Sequence, residues 1–179
     1  MNPLQFYDLE SYLLEGVRPT FHERGSLSAE EFFAIIMWKA NRAKPKVARR
    51  LMARGLSLHE AVRKLTQELH EAPDNQSRFT VLHGWGLRLP MASAVLAILW
   101  PEDFSVYDVR VCNQLDKFKY LPDRTKVATL WEGYCEYMEA VKAKAPAHLS
   151  LRDKDRFLWG KSVLEQLHSD VAVEFHASP

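Results

Sequence analysis

The spacing of the apolar residues is the feature that most constrains how this chain can fold. Apolar residues recur at intervals of three and four along almost the whole sequence, which is the period of an amphipathic helix. The Asn-Gly and Asp-Gly pairs that mark β-hairpins do not occur, and the chain has only seven glycines. We therefore predict an all-α fold.

The length of the chain, 179 residues, is enough to bury a core without disulfides or metal ions, so we predict one compact multi-helix domain over residues 1–179. Cys112 and Cys135 lie far apart in apolar stretches without a zinc spacing, which indicates free thiols in a reducing compartment. The amino terminus lacks a secretion signal, and no apolar stretch has membrane-spanning length. We expect a cytoplasmic protein, with no membrane partner and with a monomer as the favoured state.

Residues that start and stop helices divide the chain into successive segments. Ser28 and Glu31 form the pattern of a capping box, Pro45 fits a first helical turn, and Gly55 and Pro101 follow helix ends. The predicted helices cover residues 6–14, 28–43, 45–54, 58–72, 74–82, 90–99, 108–118, 123–144 and 150–169. The first is expected to end before Gly16 and Pro19, and residues 170–179 are expected to form a flexible tail.

A basic segment lies between Glu31 and Glu60. This interval contains no acidic residue, although the formal net charge of the whole chain is only +1. Its basic residues are Lys39, Arg42, Lys44, Lys46, Arg49, Arg50 and Arg54. The segment favours an anionic partner, and the alternative is that it is simply the solvated face of a helix.

Two stretches of the sequence, one with a Gly-x-Gly and one with an Asp-x-Arg-Val pattern, form a further motif. The first, residues 82–97, is Leu-His-Gly-Trp-Gly-Leu-Arg-Leu-Pro-Met-Ala-Ser-Ala-Val-Leu-Ala, and the second, residues 104–111, is Phe-Ser-Val-Tyr-Asp-Val-Arg-Val. Together they resemble the helix-hairpin-helix family of DNA glycosylases. The family has a Leu-x-Gly-Val-Gly hairpin, then a small-residue patch and an essential aspartate about twenty residues later. Here Gly84 and Gly86 match the hairpin and Asp108 matches the aspartate.

The resemblance implies base excision from double-stranded DNA. A carboxylate at Asp108 would stabilise the sugar cation that forms as the N-glycosidic bond breaks. The hairpin region, residues 74–100, would offer successive backbone amides to a phosphate. The residues implied to bind DNA are Gly84, Trp85, Gly86, Arg88, Arg42, Lys46, Arg49 and Arg50, and those implied to line a pocket for the flipped base are Trp38, Tyr107 and Trp159.

The resemblance implies no cofactor other than a monovalent cation at the hairpin. A metal site is not expected, because His59 and His70 lie three helical turns apart and no carboxylate completes a ligand set.

Some residues depart from the family pattern. Arg88 stands where the bifunctional members carry a lysine, and a guanidinium cannot form a Schiff base, so any activity would be monofunctional hydrolysis. The interval from Gly86 to Ala92 is about two residues longer than usual and includes Pro90. The cysteines of the iron–sulfur branch are absent.

Three functions stay open at this point: a monofunctional glycosylase, a non-catalytic helical DNA-binding module, and an adaptor protein on a glycosylase-like scaffold. Each candidate residue also has a structural interpretation. Asp108 is an ordinary N-cap, which stabilises a helix by roughly 1 kcal/mol without any catalysis. The Gly-x-Gly sequence is a common turn, and the tryptophans are typical core residues.

Overall fold

The computed structural model describes residues 3–174, and over this range the chain forms helices and no strand. The all-α prediction is therefore confirmed. The helices are α1 (Leu9–Tyr12), α2 (Arg18–Arg24), α3 (Ala29–Ala40), α4 (Lys44–Met52), α5 (Leu58–Glu71), α6 (Asn75–Gly84), α7 (Leu89–Leu99), α8 (Val109–Leu115), α9 (Val127–Lys144) and α10 (Leu151–Glu174). Among the described residues, no helix is long and apolar enough to cross a membrane.

The chain divides after Asp103 into two compact units. The first contains α1 to α7, and the second contains α8 to α10 together with the extended segment 104–107. The expectation of one domain over residues 1–179 stays a prediction.

Two capping boxes fix helix starts in the first unit. Ser28 Oγ accepts from the Glu31 amide at 3.2 Å, and the Glu31 carboxylate accepts from the Ser28 amide at 2.8 Å. This confirms the predicted start of α3. Ser57 and Glu60 form the same reciprocal pair at the start of α5, at 3.3 and 3.0 Å. Both boxes are local, which is why they can be read from the sequence.

Helix α7 forms the centre of the first unit. Residues 92–99 are all fully buried, and α7 packs against α2, α3 and α6. A helix that is apolar on every side is stable only when neighbours surround it. The start of α7, and the turn that leads into it, are therefore fixed by the core of this unit.

The prediction for the first helix is wrong at its carboxyl end. The helical conformation does not end before Gly16 but continues through a π-helical segment, Leu13–Val17, into α2. The wider turn lets the Arg18 amide donate to the Leu13 carbonyl, and Pro19 then lies in the first turn of α2, where its missing N–H is tolerated.

Helices α8 and α10 also end at residues other than the predicted ones. Helix α8 ends at Leu115 because Asp116 adopts a left-handed conformation (φ 54°), so it does not reach Phe118. Helix α10 continues beyond residue 169 to Glu174. The last part of the expected flexible tail, residues 175–179, lies outside the described residues.

Hydrogen bonds to the core hold the segment 104–107 of the second unit. The hydroxyl of Tyr134 donates to the Ser105 carbonyl at 2.5 Å, and that of Tyr137 donates to the Val106 carbonyl at 2.8 Å. The Val106 amide donates to the buried carboxylate of Asp155 at 3.0 Å. These bonds fix the backbone that leads into Asp108.

The two cysteines are free, as predicted, with Cys112 buried and Cys135 half-buried.

Candidate nucleic-acid interface

The turn between α6 and α7 has the geometry of a Schellman motif. The Trp85 amide donates to the Val81 carbonyl (3.0 Å), the Gly86 amide to His83 (2.9 Å) and the Leu87 amide to Leu82 (3.0 Å). Gly86 has φ +83°, a conformation that favours glycine, whereas Gly84 still belongs to α6 and has no positive φ. Only the second glycine is thus required by the turn.

The hydrogen bonds of this turn correct one expectation about phosphate binding. The amides of Trp85, Gly86 and Leu87 already donate to carbonyls of α6. Pro90, in the first turn of α7, has no N–H. The Gly-x-Gly sequence therefore does not present a run of free amides to a phosphate.

Two arginines of the basic segment donate hydrogen bonds to carbonyls of this turn. Arg50 of α4 donates through Nη1 to the Gly86 carbonyl at 2.9 Å. Arg54, just beyond the end of α4, donates through Nη2 to the Gly84 carbonyl at 2.8 Å. These bonds span 36 and 30 residues of sequence and join α4 to the turn before α7.

The Trp85 side chain holds the turn through contacts with Glu68 of α5 and with Arg54, just beyond α4. Its indole nitrogen donates to Glu68 Oε2 at 2.7 Å, and the Arg54 guanidinium lies 3.8 Å from the centre of its ring. The side chain is only 3% exposed. Trp85, which the resemblance placed among the DNA-binding residues, is therefore packed inside this unit and held on both sides.

The carbonyls around the turn are the oxygens that could bind the monovalent cation implied by the resemblance. Such an ion would be held by several carbonyl oxygens of the turn. Around the turn, hydrogen bonds are accepted by the carbonyls of Val81, Leu82, His83, Gly84 and Gly86. The residues present do not fit a bound cation, because the guanidinium groups of Arg50 and Arg54 place positive charge at two of these oxygens.

Four basic side chains of the predicted set are exposed in the first unit. Arg42, Lys46 and Arg49 lie in and just before α4, and Arg88 is the N-cap residue of α7. None of them makes an ion pair within the part of the first unit that the structure describes. Val47 and Leu51 bury the opposite face of α4. We call Arg42, Lys46, Arg49 and Arg88 the basic surface.

Asp108 is the N-cap of α8. Its Oδ1 accepts from the Arg110 amide at 2.9 Å, and the residue is half-buried. The three residues before it, Ser105 to Tyr107, are buried in the core of the second unit. The position therefore has the capping function that the sequence allowed, and its carboxylate is firmly placed at the start of the helix.

The three aromatic residues expected to line a base pocket have different surroundings. Trp38 is half-buried on α3 of the first unit. Tyr107 is a core residue of the second unit: its hydroxyl donates to the Phe118 carbonyl at 2.8 Å, and burial raises the pKa of its phenol well above the usual value. Trp159 on α10 is 45% exposed, and the Arg110 guanidinium lies 5.7 Å from its ring centre.

The described residues contain no group of three or more histidine, cysteine, aspartate or glutamate side chains arranged to hold a metal ion. Comparison with protein-family models finds no family that matches the chain, and comparison with curated proteins and with solved structures finds no similar protein.

Proposed function

We propose that this protein binds duplex DNA by contacting backbone phosphates with its basic surface. The observation that carries the proposal is that the basic surface is exposed and makes no ion pair within the described part of the first unit. The hydrogen bonds from Arg50 and Arg54 join α4 to the turn between α6 and α7, so the exposed cations of α4 and Arg88 belong to neighbouring parts of that unit. A group of exposed cations without ion-pair partners is the electrostatic feature of a phosphate-binding protein.

The contacts proposed here position the protein on DNA and do not read its sequence. Lysine and arginine side chains on one surface neutralise phosphates and release counterions, which gives an affinity that falls steeply with salt concentration. The tryptophan in the turn is buried, so it is not placed to stack on a base. We therefore expect similar affinity for duplexes of different sequence.

A triple variant of α4 and its preceding turn tests this function. In Arg42→Gln, Lys46→Gln, Arg49→Gln the affinity for a duplex of about 20 base pairs should fall, and the slope of log K against log salt should become smaller by up to about 3 units, because each lost phosphate contact contributes about 0.9. Fluorescence anisotropy over a series of salt concentrations measures both quantities.

The matched control removes three positive charges from the second unit. Lys142→Gln, Lys144→Gln, Lys161→Gln lowers the net charge equally, from +1 to −2, and these side chains are also exposed. Binding by the basic surface requires the first variant to lose much more affinity than this control. Equal loss in both variants would show that only net charge matters, and an unchanged affinity in the first would overturn the proposal.

A second candidate is monofunctional hydrolysis of an N-glycosidic bond with Asp108 as the stabilising carboxylate. It is favoured by the position of Arg110, whose amide holds Asp108 Oδ1 while its guanidinium lies over the exposed ring of Trp159. A carboxylate and an accessible aromatic ring are thus linked through one residue of the same unit. Water would add its hydroxyl to the sugar carbon and its proton to the departing base.

Asp108→Asn separates hydrolysis from binding. Asparagine caps helices as well as aspartate does, so this variant should fold and bind DNA normally. Duplexes with oxidised, alkylated or deaminated bases are incubated with each protein, and alkali then cleaves any abasic site. Cleavage with the wild type and none with the variant is the expected result for a glycosylase. Absence of base release from every duplex would eliminate hydrolysis and leave DNA binding as the function.

A further inference from the structure

We infer that Arg50 and Arg54 act as a guanidinium clamp, which holds the turn between α6 and α7 in place of a bound monovalent cation. The inference deepens the proposed function and rests on it, because the clamp would fix Arg88 and the exposed cations of α4 on one surface. It separates two arginines of the basic segment, which position the surface, from three exposed side chains of the same segment, Arg42, Lys46 and Arg49, which contact phosphate.

The Arg50 half of the clamp packs against the turn as well as bonding to it. Its guanidinium donates to the Gly86 carbonyl, and a Cβ placed on Gly86 would lie only 3.5 Å from Arg50 Cδ and 3.6 Å from Arg50 Cβ. The aliphatic part of the arginine therefore lies directly against the glycine backbone. A half-buried arginine in this position is not available to a DNA phosphate without leaving the turn.

The Arg54 half of the clamp acts through Trp85. The same guanidinium donates to the Gly84 carbonyl and lies over the indole ring, while Glu68 accepts from the indole nitrogen on another edge. Both contacts of Arg54 use a delocalised planar cation, which a lysine does not supply. Arg54 is exposed, so its removal leaves no buried cavity.

The clamp predicts that the turn does not depend on the identity of the salt cation. Potassium and sodium are small enough to be coordinated by carbonyl oxygens, whereas tetramethylammonium is too large. Because tethered guanidinium groups occupy the relevant oxygens, the turn should be equally stable in all three salts at equal concentration. DNA affinity should vary with ionic strength and not with the choice among these cations.

Hydrogen exchange of the Gly86 and Leu87 amides, followed by nuclear magnetic resonance without DNA, measures the stability of the turn directly. In the wild type we expect equal exchange rates in potassium, sodium and tetramethylammonium chloride. Arg50→Gln and Arg54→Gln should each accelerate exchange by about ten-fold, because a hydrogen bond from a charged donor is lost. Arg49→Gln, which removes the same charge from an exposed side chain of the same helix, should leave the rates unchanged.

Slower exchange in potassium or sodium than in tetramethylammonium would overturn the inference, because it would show that a bound cation holds the turn. Amide exchange rates in Arg50→Gln and Arg54→Gln that equal those of the wild type and of Arg49→Gln would also overturn it. If Arg50→Gln does not fold, the exposed Arg54 and the wild-type salt series still decide the matter. The Trp85 indole signal supplies a second readout, since only Arg54→Gln should move it strongly.

The same variants distinguish this inference from the proposed function. If the wild type does not bind DNA but the exchange results are as expected, the clamp stands and the DNA proposal fails. If the protein binds DNA but its turn requires potassium, the clamp fails and the DNA proposal stands. When both hold, Arg54→Gln should weaken DNA binding together with the protection of the turn, while Arg49→Gln should weaken binding alone.

Discussion

Helix α10 contains two arginine–aspartate pairs with the same spacing and opposite exposure, and they allow one stability prediction to be made with an internal control. Arg152 pairs with Asp155, and the two side chains are 9% and 5% exposed. Arg156 pairs with Asp153 at 2.9 Å, and these side chains are 43% and 47% exposed. The perturbation is the same in both cases: arginine to methionine, which keeps most of the aliphatic volume and removes the charge.

The expected losses of unfolding free energy differ because the first pair is buried and the second is exposed to solvent. Arg152→Met removes a buried cation from beside the Asp155 carboxylate, which also accepts from the Val106 amide and the Ser105 hydroxyl. Removal of one partner from a buried pair costs about 3–5 kcal/mol, whereas an exposed pair contributes less than about 1 kcal/mol. Since whole domains are stable by about 5–15 kcal/mol, the first variant loses a large part of its stability.

Urea unfolding followed by far-ultraviolet circular dichroism measures both costs. With a slope of about 2 kcal/mol per M, the unfolding midpoint should fall by about 2 M in Arg152→Met and by less than about 0.5 M in Arg156→Met. Equal midpoints in the two variants would refute the reasoning, because they would show that burial does not determine the cost of losing the cation.

Two further predictions concern local structure in the first unit. Gly86→Ala should destabilise the protein by about 1 kcal/mol in thermal unfolding because residue 86 has φ +83°, whereas Gly84→Ala, with open space around the added Cβ and no positive φ, should be neutral or slightly stabilising; the reverse order would contradict the geometry of the turn. The hydrogen bonds from Ser57 lower the pKa of Glu60, so the contribution of this capping box is present above the ordinary glutamate pKa and is lost as the pH falls through the lowered value. Ser57→Ala should raise the pKa of Glu60 toward its ordinary value in a carboxyl titration by nuclear magnetic resonance, and an unchanged value would show that the box does not hold the carboxylate.

The parts of the fold that the sequence predicted well are those fixed by neighbouring residues. The capping box at Ser28 and the glycine turn before α7 are determined by residues within a few positions of one another. The end of the first helix was missed because Gly16 and Pro19 normally stop a helix, and here a π-helical segment accommodates both. The early end of α8 depends on a left-handed aspartate, which gives almost no signal in a single sequence.

The candidate site was less predictable because it depends on distant contacts. The run of cations between residues 39 and 54 is evident in the sequence, but the pattern predicts the same role for Arg49 and Arg50. Only the structure separates them, since Arg50 contacts a carbonyl 36 residues away and Arg49 is exposed. Arg54 was not assigned to the site at all. Its available signals were its place in the basic segment and its spacing of four residues from Arg50, which is the spacing of neighbouring side chains on a helix.

The glycine at position 86 has structural causes that do not involve DNA. A glycine between two helices favours phosphate binding when nothing else explains it. Here two other causes are sufficient: the left-handed conformation that ends α6, and the close approach of the Arg50 side chain. The amides of the turn are also occupied. The proposal therefore depends on the exposed cations of the basic surface, and charge-removing variants on that surface test it more directly than any change to the glycines.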